Sequence, residues 1–359
     1  IMPSLVGSEM CIRDRGKTET AKLFLEFMAT VGKGAGTLHQ KVLQTNPVME
    51  AFGNAQTALN DNSSRFGKFL RLEFTASGKM CGASLKTYLL EKTRVTVQAA
   101  GEQNYHVFYH LAAGAPAELR AQVGIGKATG YACMQGGTGP SHEGASHAKR
   151  FGGVSNALEQ LGLSPEHARG VWAVTAAVIH ACELAFAPRE ASDGSPGCAL
   201  VDTSHLASAC AQLGLDRAQA EEALTTRKIK VGAEVIPKPN TPAEAAQVRD
   251  ALGKALFSSL FDWLVRQINA SLRATSDAAT ALAKHAGGKA EEAARFIGAV
   301  DVFGFESFPT NSLEQLCINF ANERLQRLFV AAVFESAAVI YATEAIEVRA
   351  AAARGAECG

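Results

Sequence analysis

The residues best suited to chemistry lie in three short strings far apart in the chain. Asn60–Lys68 (NDNSSRFGK) places two adjacent hydroxyls, Ser63 and Ser64, beside Arg65 in a polar loop. That set suits a bound phosphate with its metal ion. One hydroxyl can ligate Mg2+ while its neighbour meets the terminal phosphate and an attacking water. Standing alone, the string would read as an ordinary Asn/Ser turn. Gly16-Lys17-Thr18 opens a helical stretch, Glu19–Val31. A helix start of this type cradles phosphates, with the lysine on the terminal phosphates and the threonine hydroxyl on Mg2+. The residues before it, Ile12-Arg13-Asp14-Arg15, are not the glycine and spacer of that pattern. The third string is Asp301–Glu306. It sets an aspartate at the carboxyl end of an apolar run, then Gly304 between aromatics, then the carboxylate of Glu306. Open α/β sheets bind ligands at that end of their strands.

Other candidates yield to simpler readings. His106 and His110 are four apart, a spacing that could hold a metal, but they sit among Tyr105, Val107, Phe108 and Tyr109 and read as core-edge histidines. His142-Glu143 and His147 resemble a zinc-protease string, yet histidines five apart do not share one helical face. Gly32–Thr37 (GKGAGT) follows no buried strand and reads as a surface connection. Thr225–Asn240 (TTRKIKVGAEVIPKPN) reads as a basic, exposed, two-stranded loop, in which Glu234 is by itself a solvated carboxylate.

The elements that must position these strings follow from periodicity. Phe296–Val302 is an apolar run that reads as a buried strand. Asn311 three residues before Glu314 has capping-box spacing, and Leu313, Leu316, Cys317 and Phe320 then recur at helical intervals. Leu70, Leu72 and Phe74 alternate with Arg71 and Glu73 as a half-buried strand, turning at Thr75–Gly78 into a returning strand over Lys79–Ser84. Leu43–Asn54 reads as an extended X-Pro step and a short helix, Gly101–Leu111 as a helix, and Val171–Phe186 as an apolar helix. Asp250–Leu272 is the longest clear helix, with leucines stepping by four and Phe257, Phe261 and Val265 widening the stripe. Ala274–Ala294 follows as a connector with a bend at Gly287-Gly288.

A chain of 359 residues with 47% hydrophobic content can bury one large core or two smaller ones. Lys+Arg and Asp+Glu balance at 35 each, so no global field favours nucleic acid or an anionic membrane. Eight cysteines without a CxxC suit a reducing cytosol. No uninterrupted apolar run approaches the ~18 residues of a membrane span.

Together, Gly16–Lys22, Leu43–Asn54, Asn60–Lys68, Leu89–Val95, Gly101–Leu111, Arg249–Leu256 and Asp301–Gln326 resemble a myosin motor domain. The Asn60–Lys68 string is similar to switch I, Asp301–Glu306 to switch II, and Asn311–Gln326 to the relay helix. Kinesins share Ser-Ser-Arg but not the Phe66-Gly67-Lys68 tail, and a kinesin-like or other P-loop switch is the rival reading. A partner- or actin-binding remnant without turnover is another. The resemblance covers Gly16–Phe329 and implies an α/β fold: a P-loop NTPase-type motor core fragment with a twisted mixed sheet and a large mainly helical subdomain. It implies an actin-based ATPase. Gly16, Lys17 and Thr18 would bind ATP with Asn60, Ser63 and Ser64. Thr18 and Ser64 would ligate Mg2+, with Asp301 behind them. Ser63, Arg65, Gly304 and Glu306 would act in hydrolysis, Arg65 and Glu306 as a closing salt bridge. Lys228, Lys230 and Glu234 would face the actin filament, Glu234 standing sixteen residues before Asp250. Calmodulin or light chains would bind only through a lever region outside this chain, and the protein would work in the cytoplasm on the cytoskeleton. The expected divisions are a non-native scar (1–15), part of the nucleotide core (16–111), an upper actin-binding subdomain (112–295), the switch II strand with the relay helix (296–341) and an unassigned tail (342–359).

Overall fold

The longest helix begins with a cap. Thr241 Oγ1 and the Glu244 carboxylate exchange hydrogen bonds with each other's backbone amides (3.4 and 2.9 Å), and Pro242 occupies the first helical position. From there the helix runs over Pro242–His285 and buries Phe257, Leu260, Phe261, Leu264, Ile268 and Leu272 on one face. The computed structural model describes residues 17–32, 37–58, 60–135, 144–190, 194–231, 234–285, 295–307 and 311–346. Residues 1–16, His142-Glu143, Gly287-Gly288 and the tail beyond 346 lie outside the described residues, as do the side chains of Lys17 and Thr18.

In chain order the helices are α1 (Lys17–Val31), α2 (Leu38–Gly53), α3 (His106–Tyr109), α4 (Ala117–Gln122), α5 (Gly144–Gln160), α6 (Pro165–Cys182), α7 (Ser204–Leu213), α8 (Arg217–Thr225), α9 (Pro242–His285), α10 (Leu313–Val330) and α11 (Ser336–Thr343). The strands are β1 (Asn54–Ala55), β2 (Ser63–Ser64), β3 (Gly67–Phe74), β4 (Met80–Tyr88), β5 (Phe186–Glu190), β6 (Pro196–Leu200), β7 (Thr226–Val231), β8 (Glu234–Pro239) and β9 (Arg295–Asp301). They pair as β1-β2, β4-β3-β9, β5-β6 and β7-β8, all antiparallel. The chain forms two compact units, Asp14–Phe303 and a second that includes Gly304 onward, and the division falls inside the Asp301–Glu306 string.

In the larger unit α9 organises the core. Phe257 packs against Phe52 at the end of α2, Tyr105 before α3 and Phe108 within it, at 6.5, 4.7 and 5.3 Å between ring centroids. One turn on, Phe261 meets Phe66 edge-on at 5.2 Å. Asn269 acts like a strand residue toward β4: its Nδ2 donates to Leu85 O and its Oδ1 accepts from Leu85 N, both at 2.8 Å. Tertiary packing therefore fixes the segments on either side of Asn60–Arg65.

Several expectations change here. The helix expected over Asp250–Leu272 starts earlier, because the Thr241/Glu244 cap precedes the leucine stripe, and it continues into the expected connector. α2 passes through Pro47 as one helix, since Val42, Thr45, Val48, Met49 and Phe52 bury one face across the proline. Helix at Gly101–Leu111 begins only at His106; Tyr105 pairs with Ala55 in extended form instead. α6 stops at Cys182, and Phe186 belongs to β5. The expected returning strand lengthens to Tyr88. The largest departure is β9. Its apolar run is an edge strand that pairs, among the described strands, with β3, and Phe296, Ile297 and Val300 are 57%, 37% and 55% exposed.

In the smaller unit the cap of α10 is Ser312, not Asn311. Ser312 Oγ accepts from Glu314 N, and Gln315 reaches back to Ser312 N (2.9 Å). Leu313, Leu316 and Phe320 are exposed along α10. Among the described residues, the helical run Leu313–Thr343 is long and apolar enough to cross a membrane by length and composition.

Candidate functional site

The Asn60–Arg65 loop leaves α2 at Gly53 and returns two residues before β3. Asn54 pairs with Ser64 and Ala55 with Ser63, and Arg65 N donates to Gly53 O at 2.7 Å. Gly53 is required by close approach: a Cβ there would lie 2.2 Å from the Phe66 ring. At the tip, Thr57 N donates to Asn60 O (2.8 Å) and Asn62 N to Asn60 Oδ1 (3.0 Å), an Asx turn that sets the entry to the two serines. Ser63 and Ser64 are both buried, and Ser63 Oγ accepts from Arg65 Nη1 at 3.3 Å.

Arg65 is 1% exposed and sits in a buried charge network. Its Nε donates to Glu91 Oε2 at 2.8 Å, and Arg94 Nε reaches the same oxygen at 2.6 Å. Arg94 continues through Nη2 to Glu102 (2.7 Å) and through Nη1 to Gln103 O (2.9 Å). Burial pushes the Glu91 carboxyl pKa up, but the Arg65 and Arg94 guanidiniums outweigh it and hold it below the ordinary value. Burial likewise disfavours the Arg94 charge, as does Arg65, and Glu91 with Glu102 more than offsets both. Arg65 is thus held by an ion-pair network before any ligand arrives. Glu91, Arg94 and Glu102 had no role in the sequence reading. The available signal for Glu91 and Arg94 was an acid and a base three residues apart in Leu89–Val95.

β3 carries the loop to the third string. The buried Lys68 lies opposite Asp301 in the β3–β9 register, and its Nζ stands 3.3 Å from Asp301 Oδ2. The Phe66-Gly67-Lys68 tail thus has a task per residue: Phe66 packs on α9, Gly67 leaves room where a Cβ would come 3.1 Å from Val302, and Lys68 pairs with Asp301.

In the smaller unit, Glu306 is tied to α10. Its amide donates to Asn319 Oδ1 (2.8 Å), its carbonyl accepts from Asn319 Nδ2 (2.7 Å), and its carboxylate accepts from Gln315 Nε2 (3.3 Å). Gly304 belongs to that unit. The exposed hairpin β7–β8 carries Lys228, Lys230 and Glu234. Its register opposes Lys228 to Pro237, Lys230 to Val235 and Val231 to Glu234. Residues two apart share a face, so both lysines project from one face and Glu234 from the other.

His106 and His110 are buried, their rings 6.1 Å apart and nearly parallel, with His147 of α5 5.7 Å from His110. Burial, with nearby positive groups, lowers the pKa of His106 to about 3 and that of His110 to about 2. A cavity of about 520 Å³ borders this cluster and is lined also by Lys22, Asn46, Glu50, Asn62 and Arg150.

The family model for the myosin head (motor domain) matches residues 13–352. The chain belongs to the myosin motor-domain family. It is 40% identical over 314 residues to Myosin-1 of Arabidopsis thaliana, covering 88% of this chain and 25% of that protein. It is 39% identical over 333 residues to unconventional myosin-VIIb of Mus musculus (92% and 15%) and 38% identical over 345 residues to unconventional myosin-XIX of Homo sapiens (92% and 33%). The chain therefore spans between about a seventh and a third of these myosins. The myosin motor domain is a P-loop ATPase fold that binds nucleotide, and the helices and small antiparallel sheets found here fit that α/β class.

Proposed function

We propose that this chain is the switch-bearing part of a motor that couples ATP hydrolysis to movement along actin filaments. In this reading Gly16 and Lys17 contact the phosphates, the Thr18 and Ser64 hydroxyls hold Mg2+, and Asp301 stands behind them. The described part of that set, Ser64 and Asp301, offers only hydroxyl and carboxylate oxygens, which suit Mg2+. When bound, that ion neutralises charge developing on the phosphates. Asn60 and Ser63 contact the phosphates or the lytic water, and the Gly304 amide meets the γ-phosphate. Glu306 positions water and closes onto Arg65.

The observation that carries this reading is the state of the Asn60–Arg65 loop. Strand pairing pins it at both serines, and a buried network holds its arginine. Phosphoryl transfer depends on positioning and charge stabilisation rather than covalent catalysis, so a rigid, pre-paired loop is the required part. The apolar, exposed β9 supports a larger twisted, mixed sheet in the whole motor, with further strands covering that edge. Lys228, Lys230 and Glu234 on the exposed β7–β8 hairpin make a weak, salt-sensitive contribution to actin binding, and the motor works in the cytoplasm on the cytoskeleton.

Titration of the chain with a fluorescent ATP analogue, with and without Mg2+, tests the reading. Saturable, Mg2+-dependent binding weakened by Ser64→Ala is expected. No saturable binding by the unaltered chain would overturn the nucleotide role for this polypeptide.

A further inference from the structure

The tip of the Asn60–Arg65 loop is held by a residue outside it. Asn62 Oδ1 accepts two hydrogen bonds, from Asn54 Nδ2 at 3.1 Å and from His106 Nε2 at 3.0 Å. An amide oxygen only accepts, so the His106 proton is on Nε2. The imidazole is neutral, because burial and the neighbouring Arg150, His147 and Arg94 all disfavour its charged form. It therefore presents one tautomer.

The preceding residue braces the other end of the same loop. Tyr105 pairs through its backbone with Ala55, and its hydroxyl donates to Glu91 O at 2.7 Å, beside the carboxylate that holds Arg65. The dipeptide Tyr105-His106 thus grips the loop at its tip and at its arginine. On its other side Asn62 borders the cavity shared with Lys22, Asn46 and Arg150. Close packing is missing there, and directed hydrogen bonds set where Asn62 sits.

We infer that His106 is a positioning residue for the nucleotide-facing loop, fixing Asn62 and through it the Ser63–Ser64 hydroxyls. This rests on the reading that the loop faces nucleotide, but the contact itself is testable without nucleotide. Amide hydrogen exchange over residues 61–66 is compared among the unaltered full chain, His106→Leu and His106→Gln. Glutamine keeps a terminal N–H donor and leucine does not. His106→Leu should speed exchange at residues 62–65 about fivefold to tenfold, the equilibrium equivalent of one hydrogen bond, with β3 and β4 unchanged. His106→Gln should restore most of the protection.

Asn62→Leu serves as the second variant. It should give the same local acceleration, and the double variant His106→Leu/Asn62→Leu should exceed neither single one by much. Exchange unchanged in His106→Leu and Asn62→Leu, equal in Gln and Leu variants, or raised throughout β3 and β4, would overturn the inference. If exchange responds as stated but no form of the chain binds the ATP analogue, the positioning contact stands and the nucleotide reading falls.

Discussion

The Asn60–Arg65 loop and the segment around Glu306 both carry residues assigned to one phosphate site, yet they are held in different ways. The first is built into a core. Its serines pair with α2's exit, Asn62 is gripped by His106, and Arg65 lies in a four-residue ion network. In the second, Asn319 and Gln315 of α10 hold Glu306, and the boundary between the two compact units falls at Gly304. One segment is tied to a core through strand pairing and an ion network, while the other shares hydrogen bonds with α10. In the proposed motor such a difference would serve a switch, in which one part reports on phosphate against another.

The comparison breaks most severely at Glu91. Glu91→Gln leaves Arg65 and Arg94 buried against a neutral amide, and should cost about 3–5 kcal/mol in the urea unfolding free energy. A loss under about 1 kcal/mol would mean that the network is not what holds the loop.

Acid should act next, again on the core side. Protonated His106 and His110 are disfavoured in the fold, with pKa near 3 and 2 against 6.5 when unfolded. Between those values the unfolded chain binds more protons, so stability is full above pH 6.5 and falls as pH drops. The expected slope is roughly 1.4 kcal/mol per pH unit per histidine. Thermal melts from pH 7.5 to 5.5 measure it, and His110→Phe should make the slope shallower. A melting temperature flat across that range would contradict the burial of both rings.

The smallest effect is expected at the other segment. Asn319→Ala removes two hydrogen bonds to the Glu306 backbone and should cost about 1–2 kcal/mol. Amide exchange near Glu306 should rise while residues 62–65 keep their protection. Equal acceleration at both would show that the segments are not held independently.

Local chemistry made parts of this arrangement legible. The alternation of Leu70, Leu72 and Phe74 gave β3 its inward face, and the leucine and phenylalanine stripe gave α9 its buried one. The Thr241/Glu244 cap stands in the sequence as a Thr-Pro-Ala-Glu string ahead of the apolar stripe. Pro47 misled because burial on both sides of it outweighs one lost backbone hydrogen bond. β9 misled for the opposite reason: apolar residues predict burial, but burial depends on what packs over them, which pattern alone does not supply. In the site, the hydroxyls and Arg65 stood out by type. Glu91, Asn62 and His106 did not, because their roles come from contacts made across as many as 44 residues of sequence.

The proposed function turns on whether Arg65 and Glu306 act as a latch. ATP turnover should be measured in a form extended before Gly16 by a glycine-rich phosphate loop, for Arg65→Glu, Glu306→Arg and the charge-swapped double variant. Each single change should abolish turnover, and the double variant should recover part of it, because the attraction is restored in altered geometry. A double variant no better than either single one would contradict a latch between Arg65 and Glu306.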